Sequence, residues 1–403
     1  MSTLLQALSL SAGYNAALVA IGAALLGIAA GFVGSFLFLR KRALVSDAIA
    51  HATLPGVGVA FLVMVALGGS GRSLPGLLAG AALTAALGLL AVDWIARRTR
   101  LAEDAAIGAV LSVFFGTGIV LLTVIQTLSA GKQAGLKDFL LGSTAGMLMV
   151  DAVVIAAGGL IALALALIMR RPMILVAFDA EFAAATGWNL RRIDMAMMGL
   201  VLAVTVIGLK VVGLILIVAL IIIPPAAARF WTERADHLAL IAGGIGGVAG
   251  YVGTGISAAA PDLPAGAVIV LVCATIFTLS LLAAPVRGVL AALIRRRRFQ
   301  IRVHLRQGLL AMARQEPIFD PLTLAVLRRR GLIRSDGVPT EAGRAEAART
   351  RRDELRWEIA RAMHRDDPAV ASYDGLTPID ALLTADQIAE IDRRIPPASG
   401  VTG

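Results

Sequence analysis

The sequence predicts an all-α polytopic membrane protein with about nine transmembrane helices, followed by a separate water-soluble domain. Three observations predict it. Of 403 residues, 58% are hydrophobic and 16% are charged, with a mean hydropathy of +0.83, whereas soluble domains run at roughly 45–50% apolar. Apolar runs of about 20 residues, the length that crosses a bilayer core, recur from Ala16 to Pro285. Short basic clusters separate those runs.

Taken in order, the runs read as spans near 17–39, 52–68, 74–96, 105–128, 150–169, 193–209, 211–229, 238–257 and 265–286. The clusters are Arg40-Lys41-Arg42, Arg97-Arg98-Thr99-Arg100, Arg170-Arg171, Arg191-Arg192, Arg229 to Arg234 and Arg295 to Arg298. Lys and Arg gather on the cytoplasmic side of membrane helices, so each cluster is expected inside. The segments 68–73, 129–146 and 257–263 are poor in Lys and Arg and are expected outside. The stretch 193–229 has cytoplasmic signals at both ends, so two crossings must fit there, turning at Lys210 and Gly213. The result is an N-terminus outside and a C-terminus inside, in the inner (cytoplasmic) membrane of the cell. Met1 to Leu10 lacks basic residues ahead of its apolar stretch and lacks a small-residue cleavage site, so the first span is expected to be retained. Glycines spaced by four at Gly27/Gly31, Gly76/Gly80, Gly243/Gly247 and Gly246/Gly250 suit closely packed helices; chance in a Gly- and Ala-rich chain offers nearly as good an explanation.

Residues 1–290 therefore form a transmembrane domain and 291–403 an arginine-rich cytoplasmic domain. The formal net charge of +10 reports topology before it reports nucleic acid. Cys273 is the single cysteine, so it supplies neither a disulfide nor a metal cage. No G-x-x-x-x-G-K-[ST] phosphate loop occurs, so the chain is expected not to hydrolyse ATP in that manner.

Ionisable residues at membrane depth are costly and mark function. Asp47 and His51 stand four apart in Ser46-Asp-Ala-Ile-Ala-His-Ala-Thr-Leu-Pro-Gly56, which on a helix stacks them on one face. Carboxylate oxygen and imidazole nitrogen suit a divalent first-row ion. The same spacing also fits an Asp47 helix cap with a His51 that hydrogen-bonds a neighbour. A second segment, Phe178-Asp-Ala-Glu-Phe-Ala-Ala-Ala-Thr-Gly-Trp188, lies in a cytoplasmic loop. It reads either as a short helix docking onto a soluble partner or as an amphipathic helix resting its aromatics in the headgroups.

The Asp47/His51 segment, the stretch from Phe178 through Gly187-Trp-Asn to Arg192, and Val211-Val-Gly-Leu to Pro224-Pro-Ala-Ala-Ala-Arg229 together closely resemble the zinc/manganese/iron permease family of ABC importers, over roughly residues 10–290. The resemblance implies a transport subunit, not itself an enzyme, that moves manganese, zinc or ferrous iron inward by alternating access. It implies that Asp47 and His51 line the ion path, and that Asp179, Glu181, Ala184 and Gly187 belong to a coupling helix fitting the ATPase. The implied partners are a cytoplasmic ABC ATPase dimer, an extracytoplasmic metal-binding protein and a second permease subunit, identical or paralogous. The metal is cargo, and no tightly bound cofactor is implied.

The tail departs from that family. Its segment Asp320 to Arg334, followed by Gly337 to Arg344, is similar to the winged helix of iron- and manganese-dependent repressors, which implies a small winged-helix-like α+β domain. Arg328, Arg329 and Arg330 supply charge, but Asp366, Asp367, Asp374, Asp380, Asp386 and Glu390 dilute it. A regulatory or protein-contact module is therefore expected rather than a DNA reader. The competing class is a membrane-tethered regulator whose spans sense metal, and the coupling-like loop favours the importer. An ion-coupled carrier would need acids on several spans, whereas Asp151 and Asp194 sit near helix ends. A chelate permease would not need the Asp47/His51 pair.

Overall fold

The computed structural model describes residues 14–69, 71, 73–127, 149–259, 263–363 and 367–395. The chain divides into two compact units, Met1–Ala291 and Ala292–Gly403. The helices of the first are α1 (Tyr14–Leu39), α2 (Leu44–Ala66), α3 (Leu74–Arg98), α4 (Glu103–Thr127), α5 (Met149–Phe178), α6 (Ala180–Ala185), α7 (Leu190–Val212), α8 (Leu214–Ala228), α9 (Ala235–Ala259) and α10 (Ala265–Ala283). The expectations for residues 1–10 and 129–146 lie outside the described residues.

Among the described residues, eight helices are long and apolar enough to cross a membrane, not nine. The run expected to cross at 211–229 forms the 15-residue α8, about 22 Å long at 1.5 Å per residue against a hydrocarbon core of about 30 Å. The break falls at Gly213, whose φ of 84° lies in the left-handed region that residues with a Cβ avoid. Pro224 and Pro225 occupy the last turns of α8, and each removes a backbone donor.

Burial separates centre from periphery. The apolar windows of α1, α2 and α7 are 67%, 61% and 61% buried, whereas those of α4 and α5 are 28% and 22% buried. The outer helices keep Leu87, Leu90, Val113, Val120, Ile161 and Ile168 exposed, as side chains facing lipid would be. Glycine decides how the central helices touch. A Cβ on Gly27 of α1 would lie 2.1 Å from the Gly246 carbonyl oxygen of α9, and one on Gly246 would lie 2.1 Å from that of Gly27. Gly31 and Gly250 repeat the contact against Ala242 and Ala23, and Gly56 meets Gly80 between α2 and α3. The four-residue glycine spacing is thus a helix-packing device here.

Charge closes one end of the bundle. Arg42 pairs with Glu103 at 3.1 Å, Arg40 with Asp194 at 3.0 Å, and Arg191 with Asp93 at 3.2 Å. The basic clusters after α1, at the end of α3 and at the start of α7 therefore share one end, as the charge pattern requires.

The second unit contains α11 (Val289–Ala313), α12 (Pro321–Arg329), α13 (Glu341–Met363), α14 (Pro368–Ala371), a 3-10 turn at Ile379–Ala381 and α15 (Ala385–Asp392). α11 runs through the division between the units. Asp320 caps α12 by accepting from the backbone N–H and the hydroxyl of Thr323 at 2.7 and 2.6 Å. Those bonds, the hydroxyl's first, hold its carboxyl below the usual carboxylate range. A lowered carboxylate stabilises the fold above its unfolded pKa, and the contribution is lost as pH falls through the lowered value.

The described residues contain no sheet, so the structure gives no support to the α+β part of the expected winged-helix-like domain. Between α12 and α13 there is one isolated antiparallel bridge, Ile333 with Pro339, supported by Arg334 N–H to Val338 O at 2.9 Å and Thr340 N–H to Leu332 O at 3.0 Å. The tail is instead held by two apolar clusters, one around Leu309, Leu327, Ile333 and Ala347 and the other around Trp357. Trp357 is fully buried, stacks on Tyr373 at 4.0 Å and donates its indole N–H to Thr377 O at 3.1 Å. Replacing it with Ala should cost about 3–5 kcal/mol; limited proteolysis should then cut the tail while the membrane unit stays intact.

Candidate functional site

α2 carries the Asp47/His51 pair. It starts at Leu44, so Asp47 lies in its first turn and His51 one turn further on. The helix reaches that start through Lys41, at φ 59°, and a tight turn in which Val45 N–H bonds Arg42 O and Ser46 N–H bonds Ala43 O. The alternation of Asp47 and His51 with buried Ser46, Ala48, Ile49, Ala50, Ala52 and Thr53 sets both side chains on one face.

His51 Nε2 lies 3.3 Å from Asp47 Oδ1, with the side chains 18% and 37% exposed. Two ligands of one ion with bonds of about 2.1 Å stand roughly 3.0–3.4 Å apart at cis or tetrahedral angles, so the separation suits a shared cation as well as a long hydrogen bond. The Phe115 ring of α4 meets the imidazole edge-on at 4.9 Å and 88°, fixing its plane. His51 Nδ1 is buried and has no hydrogen-bond partner, a costly condition for a polar atom. The ring is thus held by one polar contact, and the nitrogen turned to Asp47, where both side chains are partly exposed, is Nε2. Pro55 inside α2 also removes the i+4 donor to the His51 carbonyl.

Asp47 does not act as the α2 N-cap. Ala43 occupies that position, without a side-chain cap. That weakens the capping explanation for the acid. Among the described residues no group of three or more His, Cys, Asp and Glu side chains could hold a metal ion. The pair therefore stands as two side chains without a third ligating neighbour among the described residues.

The coupling-like segment is a separate feature between α5 and α7. Asp179 Oδ1 accepts the Phe182 N–H at 2.8 Å and caps α6. Trp188 N–H returns to Ala183 O at 3.0 Å, and Asn189 then caps α7 by accepting the Arg192 N–H at 3.1 Å. Gly187 takes φ 90°, with open space where a Cβ would stand. Ala183 is fully buried, whereas Phe178, Phe182 and Trp188 are 64%, 55% and 47% exposed. Glu181, Ala184 and Gly187 are exposed as well. A stiff, doubly capped turn presents this mixed face.

Two features escape the sequence. Phe115 belongs to a run of apolar residues and carries no mark of its contact with His51. Asp194, which reads as a helix-end acid, is 5% exposed and accepts two bonds from Arg40, at 3.1 and 3.0 Å.

A family model described as "ABC 3 transport family" matches residues 14–284. The chain is similar to the manganese transport system membrane protein MntC of Bacillus subtilis, at 41% identity over 301 residues that cover 75% of this chain and 68% of MntC. It is similar to the zinc transport system membrane protein TroC of Treponema pallidum, at 38% identity covering 70% of this chain and 93% of TroC. Among solved structures, PsaBC from Streptococcus pneumoniae in complex with Fab matches at 28% identity and a TM-score of 0.61, covering 71% of this chain and 97% of that one.

Proposed function

The chain belongs to the ABC 3 transport family, and from that premise we propose that it is the membrane-spanning permease of an ATP-driven importer of divalent transition-metal ions, manganese or zinc foremost. The similarity to MntC and TroC supports the cargo class. The observation that carries the ion path is the partly exposed Asp47/His51 pair, with Nε2 and Oδ1 3.3 Å apart. A carboxylate offsets part of an ion's charge while a neutral imidazole supplies a borderline ligand. Two protein ligands hold an ion weakly enough to release it.

The chain supplies the path and not the energy. ATP is hydrolysed by a separate cytoplasmic ATPase dimer, which acts by favouring one orientation of the helix bundle over the other. α6 is the surface we assign to that contact, with Asp179 as its cap, Glu181 and Ala184 on its exposed turn and Gly187 as its left-handed exit. An extracytoplasmic metal-binding protein delivers the ion. A second permease, identical or paralogous, completes the complex and can add ligands to the half-exposed pair. The arginine-rich unit after Ala291 lies in the cytoplasm as a regulatory or protein-contact module.

Elemental mass analysis of cells co-expressing the chain with its ATPase and metal-binding protein tests this reading. Manganese or zinc should rise above cells lacking the permease; an unchanged metal content with an assembled complex would sink it. Gly187→Arg should cut the rise while leaving membrane abundance intact. The φ of 90° makes any side chain there cost of order 1–3 kcal/mol locally, and the guanidinium would protrude into the ATPase contact. Co-purification of the ATPase with the variant reads the loss directly.

A further inference from the structure

Resting on the importer reading, we propose that Asp194 is a positioning residue which, through Arg40 and Arg42, transmits movement of the α6 segment to the helix that carries Asp47 and His51. α6 is tied to α7 through the Trp188–Ala183 bond and the Asn189 cap, and Asp194 lies four residues beyond the start of α7 at Leu190. Arg40 reaches both sides of the α6 segment. Its Nη1 donates to Val176 O near the end of α5 at 3.1 Å, while its Nε and Nη2 grip the Asp194 carboxylate. The elements before and after α6 are thereby clamped by one guanidinium.

Arg42 continues the chain of contacts. Its Nη1 lies 3.4 Å from Asp194 Oδ2 and its Nε 3.1 Å from Glu103 Oε1 at the start of α4. Arg42 O accepts Val45 N–H in the first turn of α2, and Asp47 is five residues further on. Displacement of α7 therefore pulls on the root of α2. The charges border a cavity of about 320 Å³, so the ion pairs have room to exchange partners beside the packed apolar side chains of Val92 and Met198. Such an end can re-pair between two arrangements, which a tightly packed core resists. A buried carboxylate shared by two arginines is also the kind of group that tolerates no partial loss of partners.

Proteoliposomes holding the full complex provide the test, with ATP hydrolysis and uptake of manganese or zinc measured in the same vesicles. Asp194→Asn keeps the shape and removes the charge. Arg42→Gln alters a side chain that is 26% exposed and decides the matter alone if Asp194→Asn fails to reach the membrane. Both are expected to keep hydrolysis within about twofold of the parent and to lose about tenfold or more of the metal moved per ATP, the range of coupling between distant sites. Asp194→Glu should recover most of that ratio. An unchanged ratio, or hydrolysis falling in step with uptake, would overturn the proposal and leave Asp194 a static staple. A parent complex that hydrolyses ATP and moves no metal would instead overturn the importer reading itself.

Discussion

Asp47→Ala and His51→Ala should each bring manganese or zinc accumulation down to the level of cells without the permease, at unchanged membrane abundance. The two side chains stand 3.3 Å apart on α2, and no third or fourth acidic, histidine or cysteine ligand joins them among the described residues. Removing one of two ligands leaves an ion with a single protein contact, and first-row ions gain most of their site affinity from ligand number and type. A loss of at least about tenfold is expected, the scale on which disturbing even the outer contacts of a metal ligand acts. His51→Ala removes the buried, unpartnered Nδ1 but also the ring contact with Phe115, so the two effects on stability oppose each other. Detergent-extracted protein that melts close to the parent temperature while uptake is lost would separate ion handling from folding. Uptake that survives both substitutions would move the ion path elsewhere.

Gly246→Leu should have the largest structural effect within the membrane unit. The added Cβ would sit 2.1 Å from the Gly27 carbonyl oxygen, a backbone atom that cannot rotate away. α1 and α9 would have to separate along a contact that also includes Gly31 with Ala242 and Gly250 with Ala23. Overpacking of a close-packed interior typically costs about 1–3 kcal/mol, and occasionally more. Here the obstacle is backbone against backbone, so the upper end of that range is expected. The yield of monodisperse protein from detergent and its melting temperature read the effect. Gly244→Leu, where a Cβ meets nothing within 4 Å, is the control on the same helix and should behave as the parent.

How far the sequence reaches depends on the range over which each signal acts. The i, i+4 placement of Asp47 and His51 is local, so the order of residues alone makes it legible. The basic clusters are legible as one-sided charge, and the ion pairs among Arg40, Arg42, Asp93, Arg97, Glu103, Arg191 and Asp194 place those after α1, at the end of α3 and at the start of α7 at one end. Which glycine meets which is not legible, because Gly27 and Gly246 belong to helices far apart in the chain. Asp194 looks like an ordinary helix-end acid; its partner Arg40 is 154 residues away. Phe115 is one of many apolar residues on α4 until His51 lies against it.

Two expectations reach further than the structure does. The turn expected at Lys210 and Gly213 falls where Gly213 breaks the helix, but only 15 residues are left in α8, fewer than a full crossing uses. The Gly-Leu-Ile and Val-Pro-Thr segments suggest a wing, and the described residues there form one isolated bridge, Ile333 with Pro339, and no sheet.

On the proposed reading, this chain carries a bare divalent ion through the Asp47/His51 pair at the expense of ATP hydrolysed elsewhere. Proteoliposomes with the parent complex, its metal-binding protein loaded with manganese or zinc, and ATP supplied on the ATPase side measure this most directly. The expected result is uptake that requires ATP and the loaded binding protein and that Asp47→Ala eliminates while the complex stays assembled. Uptake that ignores ATP, or equal uptake by parent and Asp47→Ala complexes, would contradict the account.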